Sequence, residues 1–143
     1  MIVVDASLGV KWFLDEAGSQ EAVEILIEYR RQILAPDLFG IEVTAALVRE
    51  INAQRDEDAH YGWELARLMA LFDSEAVELR RVSTSQIVAA AEMAIEIGHP
   101  LKDCIYLALA ADLGCDLYTS DAKFSAKAAR LGQSIKLICG QIQ

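Results

Sequence analysis

At 143 residues, the chain is long enough for one domain, residues 1–143, that buries about two thirds of its unfolded surface without disulfides. Hydrophobic residues make up 54% of the chain, but its longest uncharged stretch, residues 82–91, falls far short of the roughly 20 apolar residues of a membrane span, so we expect a soluble protein without a membrane partner. The net charge of −9 argues against the broad basic face that many nucleic-acid-binding proteins carry.

The first strand begins at the N-terminus. Residues 2–4 form a short β-branched run, typical of a strand buried on both faces, and Asp5 ends it. Neither a basic leader nor a cleavage site precedes this run, so we expect a cytoplasmic protein. Ser7 is then placed to cap a helix over residues 8–14.

The rest of the chain alternates strands with helices. Further strands are predicted over residues 33–35, 77–79, 117–119 and 135–138, and further helices over residues 19–31, 38–54, 57–72, 86–97, 101–113 and 122–131. The helices over 38–54 and 57–72 would form an αα-hairpin. Strands separated by helices predict an α/β fold, a three-layer α/β/α arrangement around a central parallel sheet of four to five short strands.

Four acids lie just after predicted strands or in the first turns of predicted helices: Asp5, Glu42, Asp103 and Asp121. In an open parallel fold these positions meet at one crevice. Taken alone, each aspartate is equally well explained as a helix cap, and Glu42 is better explained by helix propensity. Four carboxylates in one crevice would repel one another unless a cation kept them ionised. Together they predict a divalent metal site.

The predicted site has direct ligands and supporting hydroxyls. Asp5, Asp103 and Asp121 are the candidate ligands of Mg²⁺ or Mn²⁺, whereas Glu42 would bind the ion directly or through water. The hydroxyls of Ser7 and Thr119 each lie two residues from one of the acids, where they could hydrogen-bond a carboxylate or a metal-bound water. For Ser7, a role as a helix cap is an equally good explanation. Such an ion would activate water for attack on a phosphodiester.

The charge is distributed unevenly along the chain. Residues 1–100 contain 18 acids and 8 bases, whereas residues 101–143 contain 4 acids and 5 bases. Three of these bases, Lys123, Lys127 and Arg130, would share one face of the helix that begins beside Asp121. That face could track a phosphate backbone, although an ordinary solvated face explains it equally well. The acidic part could also dock a basic partner protein.

Other reactive or aromatic side chains have structural explanations. His99 precedes Pro100 and is predicted to be a turn residue, and Cys104 has no histidine beside it in sequence and is predicted to be a core thiol. The larger aromatic residues are predicted to be core or interface anchors that could line a groove for a partner helix; they are Trp12, Tyr61, Trp63 and Phe72.

Four segments together carry a family resemblance: residues 2–13 (IVVDASLGVKWF), 35–42 (APDLFGIE), 99–108 (HPLKDCIYLA) and 118–124 (YTSDAKF). In this order and at this spacing they resemble PIN domains, and in particular the VapC-like toxin ribonucleases of bacterial toxin–antitoxin pairs. Ser120 departs mildly from the family pattern, which often has a small apolar residue there.

The resemblance implies a PIN-like nuclease domain and a metal-dependent endoribonuclease. Its catalytic acids would be Asp5, Glu42, Asp103 and Asp121, with Thr119 as the hydroxyl near the last acid. It further implies Mg²⁺ or Mn²⁺ as cofactor, RNA as substrate, a homodimer, and an antitoxin whose tail covers the active site.

Two other classes of function remain open from the residues alone. A haloacid-dehalogenase-like phosphatase also begins with an apolar strand that ends in aspartate, but it needs a second acid two positions later, where this chain has Ser7. A non-enzymatic acidic protein-interaction module would use the four acids only as helix caps. Stabilisation by Mg²⁺ or Mn²⁺ would separate a metal site from such a module.

Overall fold

The computed structural model describes residues 1–54 and 62–139. The strands are β1 (Ile2–Val4), β2 (Ile33–Pro36), β3 (Val77–Arg80), β4 (Asp116–Thr119) and β5 (Ile135–Leu137). The α-helices are α1 (Ala6–Gly9), α2 (Ser19–Glu28), α3 (Leu38–Ala53), α4 (Gly62–Asp73), α5 (Thr84–Ile97), α6 (Leu101–Leu113) and α7 (Ala122–Ala128). Short 3₁₀ turns, Val10–Trp12 and Ala129–Leu131, continue α1 and α7.

The five strands form one parallel sheet in the order β3-β2-β1-β4-β5. Val3 of β1 pairs with Leu34 on one side and with Leu117 on the other. The predicted three-layer α/β/α class is therefore confirmed. Successive strands are added on one side of β1 up to β3, and β4 then returns to its other side. A reversal of this kind opens a crevice at the carboxyl ends of the two strands where it occurs, here β1 and β4.

The core surrounds β1, whose three residues are at most 3% exposed. Helix α6 packs across β1, β2 and β4. Six of its residues are buried, which explains why its sequence is apolar on most sides: Cys104, Tyr106, Leu107, Ala108, Leu109 and Ala110. Helix α6 is thereby fixed against the sheet, with Asp103 in its first turn.

The predicted start of the first helix is wrong. Asp5, and not Ser7, is the N-cap: the backbone N–H of Leu8 donates a hydrogen bond of 3.1 Å to Asp5 Oδ1. Both residue types are good caps, and the buried position of Asp5 at the end of β1 decides between them. The helix consequently begins at Ala6 and changes to a 3₁₀ turn at Val10.

The last predicted helix is also shorter than expected. It ends at Ala128, so Arg130 lies in the following 3₁₀ turn and not in the α-helix.

Helices α3 and α4 pack against each other, as the predicted hairpin requires. The bend between them, the first residues of the helix predicted over 57–72, and Tyr61 lie outside the described residues. In residues 1–54 and 62–139, no helix is both long and apolar enough to cross a bilayer.

Gly9 is tightly constrained by the core. A Cβ at this position would lie 2.6 Å from two ring atoms of Phe39, which is fully buried and packs edge-to-face on Phe72. Because the ring would have to move, we expect Gly9→Ala to lower the free energy of unfolding by about 1–3 kcal/mol. Urea denaturation followed by circular dichroism measures this change.

Gly40 provides the matched control, since it is also helical. A Cβ there would approach Phe72 and Leu79 no closer than 3.5 Å. The higher helix propensity of alanine should then leave Gly40→Ala unchanged or stabilise it by up to about 1 kcal/mol. Equal losses of stability in the two variants would contradict the close packing of Gly9.

Candidate active site

Asp5 is the most deeply placed of the acids, with 3% of its surface exposed. Its Oδ1 accepts hydrogen bonds from Ser7 Oγ at 2.6 Å and from the Leu8 N–H at 3.1 Å, and its Oδ2 accepts one from the Thr119 hydroxyl. Burial raises the pKa of Asp5 from 3.8 to about 6, against the opposing effect of these hydrogen bonds. At neutral pH the carboxylate therefore carries a charge that its donors compensate only in part.

The two hydroxyls join the ends of β1 and β4. Ser7 Oγ and Thr119 Oγ1 lie 3.1 Å apart, and each also accepts a backbone N–H from the loop after β4. The Ser120 N–H donates to Ser7 at 2.9 Å, and the Asp121 N–H donates to Thr119 at 3.0 Å. Ser7 and Thr119 therefore fix both the Asp5 carboxylate and the segment that carries Asp121.

Asp103 and Asp121 meet beside His99. Asp121 is the N-cap of α7, and its Oδ1 accepts the N–H of Phe124 at 2.9 Å. Asp103 Oδ2 lies 2.6 Å from His99 Nε2. One potential ligand atom from each of His99, Asp103 and Asp121 lies within 4.8 Å of the other two, a spacing that no other set of three such side chains reaches in the described parts of the chain. Asp5 is outside this close group, although it was a predicted direct ligand.

Glu42 is held by two partners. Its Oε1 accepts a hydrogen bond of 2.7 Å from the Tyr106 hydroxyl, and its Oε2 lies 3.3 Å from Lys102 Nζ. Burial, and then the neighbouring Glu42, raises the pKa of Tyr106 far above its usual value, so the phenol stays protonated and donates. Both Glu42 oxygens have a donor and each keeps a further lone pair, so Glu42 can contact an ion directly or through water.

All four predicted acids line one cavity of about 240 Å³ at the carboxyl ends of β1 and β4, together with Ser7. Thr119 does not line the cavity, but its hydroxyl donates a hydrogen bond to Asp5, which does. Two cations that sequence reasoning missed also line it, Arg49 from α3 and Lys102 from α6. Arg49 lies seven residues after Glu42 on a helix, so the i, i+7 spacing was a signal for it.

The three bases predicted to bind substrate lie outside the lining of this cavity. Lys127 Nζ donates to the Gly98 carbonyl at 2.9 Å, which ties α7 to the turn between α5 and α6. Lys123 and Arg130 are exposed to solvent. Of these two, only Lys123 is close to Asp121 in sequence, in the first turn of α7.

Cys104 and His99 were both predicted to be structural residues, but His99 also contacts one of the acids of the site. Cys104 is buried, and burial, followed by the charge of Asp103, raises the pKa of its thiol to about 11, in agreement with an inert core thiol. His99 follows the turn at Gly98 as predicted, but its side chain is only 6% exposed and bonds to Asp103. Its place in the site depends on contacts with α6 and α7 that the local sequence did not show.

The donor set fits a hard divalent cation. Four carboxylates line the cavity, and burial raises the pKa of Asp5 although three donors bond to it, as expected for a charge that these donors compensate only in part. Asp5, Asp103 and Asp121, with Glu42 beside them, are thus chemically suited to hold Mg²⁺ or Mn²⁺.

Comparison with known proteins agrees with this arrangement. The family model described as PIN domain matches residues 2–130. Similar solved structures include the protein PAE2754 from Pyrobaculum aerophilum, with 20% identity over 92% of this chain and 94% of that chain and a TM-score of 0.65. They also include a toxin–antitoxin complex from Klebsiella pneumoniae, with 20% identity over 87% of this chain and 91% of that chain and a TM-score of 0.66.

A third similar structure is VapBC2 from Rickettsia felis bound to a DNA fragment from its promoter, with 14% identity over 96% of this chain and 98% of that chain and a TM-score of 0.62. At these identities the structural likenesses establish the fold alone. No curated protein sequence matches the chain.

The buried Asp5 carboxyl makes the stability of the metal-free protein depend on pH. Its pKa is about 6 in the folded chain, against about 4 when unfolded, so the folded state holds the proton more tightly. The free energy of unfolding should therefore fall by up to about 3 kcal/mol in total as the pH rises from well below 4 to well above 6. Asp5→Asn has no such proton, and we expect it to lack this fall in urea denaturation with EDTA.

Added Mg²⁺ at pH 7 should stabilise the wild type and leave the stability of Asp5→Asn nearly unchanged, because only the wild type has an ionised carboxylate at position 5. Asp116→Asn, at the opposite end of β4, is the control and should keep the pH profile of the wild type. Parallel profiles for the wild type and Asp5→Asn would contradict the uncompensated charge of Asp5.

Proposed function

The chain belongs to the PIN domain family, and from this premise we propose that it is a metal-dependent endoribonuclease, with residues 1–143 forming one nuclease domain. We further propose that it is the toxin of a type II toxin–antitoxin pair. The observation that carries the proposal is the convergence of four carboxylates on one cavity at the strand reversal between β1 and β4. This is the chemistry that phosphodiester hydrolysis by a bound divalent ion needs.

Asp5, Asp103 and Asp121 would hold Mg²⁺ or Mn²⁺, and Glu42 would contact it directly or through water. The ion, when bound, supplies an acidified water and stabilises charge on the leaving oxygen. The hydroxyls of Ser7 and Thr119 keep the Asp5 carboxylate in one orientation. Tyr106 and Lys102 do the same for Glu42. The reacting groups are thus positioned before substrate arrives.

The cations beside the acids account for RNA binding by a chain with a net charge of −9. Lys102 and Arg49 line the cavity and would contact phosphates next to the scissile bond. Lys123, Lys127 and Arg130 would contact the RNA backbone farther along, past Asp121. The binding surface is therefore local and does not need an overall basic protein.

An antitoxin is the proposed protein partner, and the Klebsiella pneumoniae toxin–antitoxin complex with the same fold supports it. A groove of about 460 Å³ between α2 and the α1 end is lined by apolar side chains, which include Trp12, Phe13 and Val23, and by polar or charged ones, which include Lys11 and Glu24. Arg67 of α4 borders it, donating to the Trp12 carbonyl at 2.7 Å. A groove with this mixed lining suits an amphipathic partner helix.

A homodimer in the cytoplasm completes the proposal. Ile41, Trp63 and Met69 of α3 and α4 are exposed by 75%, 71% and 66%, which supports an interface between copies. The three cysteines are free and Cys104 is buried, which supports a reducing compartment.

The phosphatase alternative has no support, because the position that needs an acid holds Ser7, whose hydroxyl donates to Asp5. The acidic interaction module would be favoured if millimolar Mg²⁺ or Mn²⁺ failed to raise the melting temperature.

We expect Mg²⁺- or Mn²⁺-dependent cleavage of RNA that EDTA abolishes. Asp5→Asn and Asp121→Asn should each lower the cleavage rate by at least about 100-fold, since losing a ligand should cost more than the 10–100-fold typical of an outer partner. Asp116→Asn is again the control, with cleavage as in the wild type. The measurement is gel analysis of total bacterial RNA with sequencing of the new ends.

RNA cleavage that persists in EDTA, or that is undiminished in Asp5→Asn, would overturn the proposal. Cleavage of DNA alone would change the substrate and keep the mechanism. A neighbouring gene for a small basic-tailed protein, whose product suppresses cleavage, would support the antitoxin.

The two cavity cations can be tested through the salt dependence of RNA binding. In the inactive Asp121→Asn background, Arg49→Gln should weaken binding and reduce the slope of log affinity against log salt by about 0.7, the value for one single-stranded phosphate contact. Lys136→Gln, an exposed base on β5, is the control and should leave the slope unchanged. An equal slope in the Arg49 variant would remove it from the binding surface.

A further inference from the structure

We propose that His99 is a positioning residue of the acidic site, whose imidazole holds the Asp103 carboxylate in the orientation that metal binding needs. The inference rests on the proposed metal site and adds to it a residue that is not an acid. Two contacts carry it: the hydrogen bond from His99 to Asp103 and the packing of the imidazole on Phe124.

The imidazole is fixed by the backbone turn between α5 and α6. Gly98 ends α5 in the left-handed conformation, with φ 64° and ψ 47°, and the His99 N–H donates to the Ala94 carbonyl at 3.0 Å. These features form a typical helix C-terminus, which leaves the His99 backbone little freedom. From this anchored position the Nε2 atom reaches Asp103 Oδ2 at 2.6 Å, one turn into α6.

The same ring also contacts the element that carries Asp121. It stacks on Phe124 with ring centroids 4.9 Å apart and an angle of 28° between the planes. Phe124 is fully buried, and its backbone N–H donates to Asp121 Oδ1 at 2.9 Å. His99 therefore contacts the first turns of both helices, α6 through Asp103 and α7 through Phe124.

Packing alone does not account for a histidine here. The side chain is only 6% exposed, and within the described residues its Nδ1 is buried without a hydrogen-bond partner. A buried polar atom without a partner costs free energy, whereas an apolar ring would make the same stack on Phe124 at no such cost. The hydrogen bond from Nε2–H to Asp103 is the interaction that an apolar ring could not supply.

This hydrogen bond has a consequence for the carboxylate. With Oδ2 accepting from His99, Asp103 keeps its other oxygen for an ion, and rotation of the carboxylate is restricted. An outer partner of this kind orients a metal ligand, and its loss typically lowers metal affinity about 10–100-fold. Since the Nε2 atom carries the donated proton, it acts through Asp103 and does not itself bind the ion.

The test uses two variants that each keep one of the two contacts. His99→Phe keeps the stack on Phe124 and loses the hydrogen bond, whereas His99→Gln loses the stack and keeps an amide N–H that can reach Asp103. Mn²⁺ binding to the full chain, without RNA, is measured from the electron paramagnetic resonance signal of the free ion. We expect about 10–100-fold weaker binding in His99→Phe and substantial recovery in His99→Gln.

Phe124→Leu is the matched control for packing, and it should lower the melting temperature of the metal-free protein without weakening Mn²⁺ binding comparably. If His99→Phe fails to fold, His99→Leu takes its place. Wild-type affinity in a folded His99→Phe or His99→Leu variant overturns the proposal, as does equal weakening in the Phe and Gln variants. Nitrogen hyperfine coupling to bound Mn²⁺ that disappears in His99→Phe also overturns it, because His99 would then be a direct ligand.

Failure of this inference is distinguishable from failure of the proposed function. A wild type that binds Mn²⁺ and cleaves RNA, with His99→Phe unaffected, overturns only the role of His99. A wild type that binds Mn²⁺ with the expected variant pattern but cleaves no RNA supports His99 and overturns the ribonuclease. A wild type that binds no Mn²⁺ overturns both.

Discussion

The carboxylate of Asp5 is the group on which the arrangement of the site depends. It ends β1, caps α1 through the Leu8 N–H, and accepts the hydroxyl of Thr119 from β4. A buried carboxylate in this position is costly unless donors surround it, and three donors do so, two from α1 and one from β4. The same bonds join the two strands between which the order of the sheet reverses. The crevice and its first acid are therefore products of one interaction.

Capping and function are not competing explanations for these acids. Asp5 and Asp121 are both N-caps with side chains that accept a backbone N–H, and both also line the cavity. Asp103 and Glu42 cap nothing, and each is held by other side chains, His99 for the first and Tyr106 with Lys102 for the second. A capping hydrogen bond fixes the carboxylate through one oxygen, and both oxygens keep a lone pair that can bind a metal ion. A capping aspartate can therefore also serve as a preorganised metal ligand.

Local sequence was sufficient where one pattern dominated. Residues 2–4 and 101–113 were predicted with the observed bounds, because the apolar run of β1 stops at Asp5 and Gly114 ends α6 in the left-handed conformation. The cap of α1 was misassigned because Asp5 and Ser7 are equally good caps by type. His99 was missed because its stack on Phe124 of α7 has no local signature, and its bond to Asp103 of α6 depends on how the turn after α5 aims the imidazole. Arg49, by contrast, carried a helical spacing from Glu42 that was overlooked.

The formal charges around the cavity bear on how many ions it can hold. Among the described residues that line it, four are acids and two, Arg49 and Lys102, are bases, which leaves a formal charge of −2 when all are ionised. Burial is the main cause of the rise in the pKa of Asp5 to about 6, and the charge of Asp103 adds to it. One divalent ion balances the formal charge of the cavity. A second ion would need further negative charge, and the phosphate groups of a bound RNA are the natural source of it. For the proposed metal site, charge balance would therefore favour one ion in the free protein and tie any second ion to the arrival of the proposed substrate.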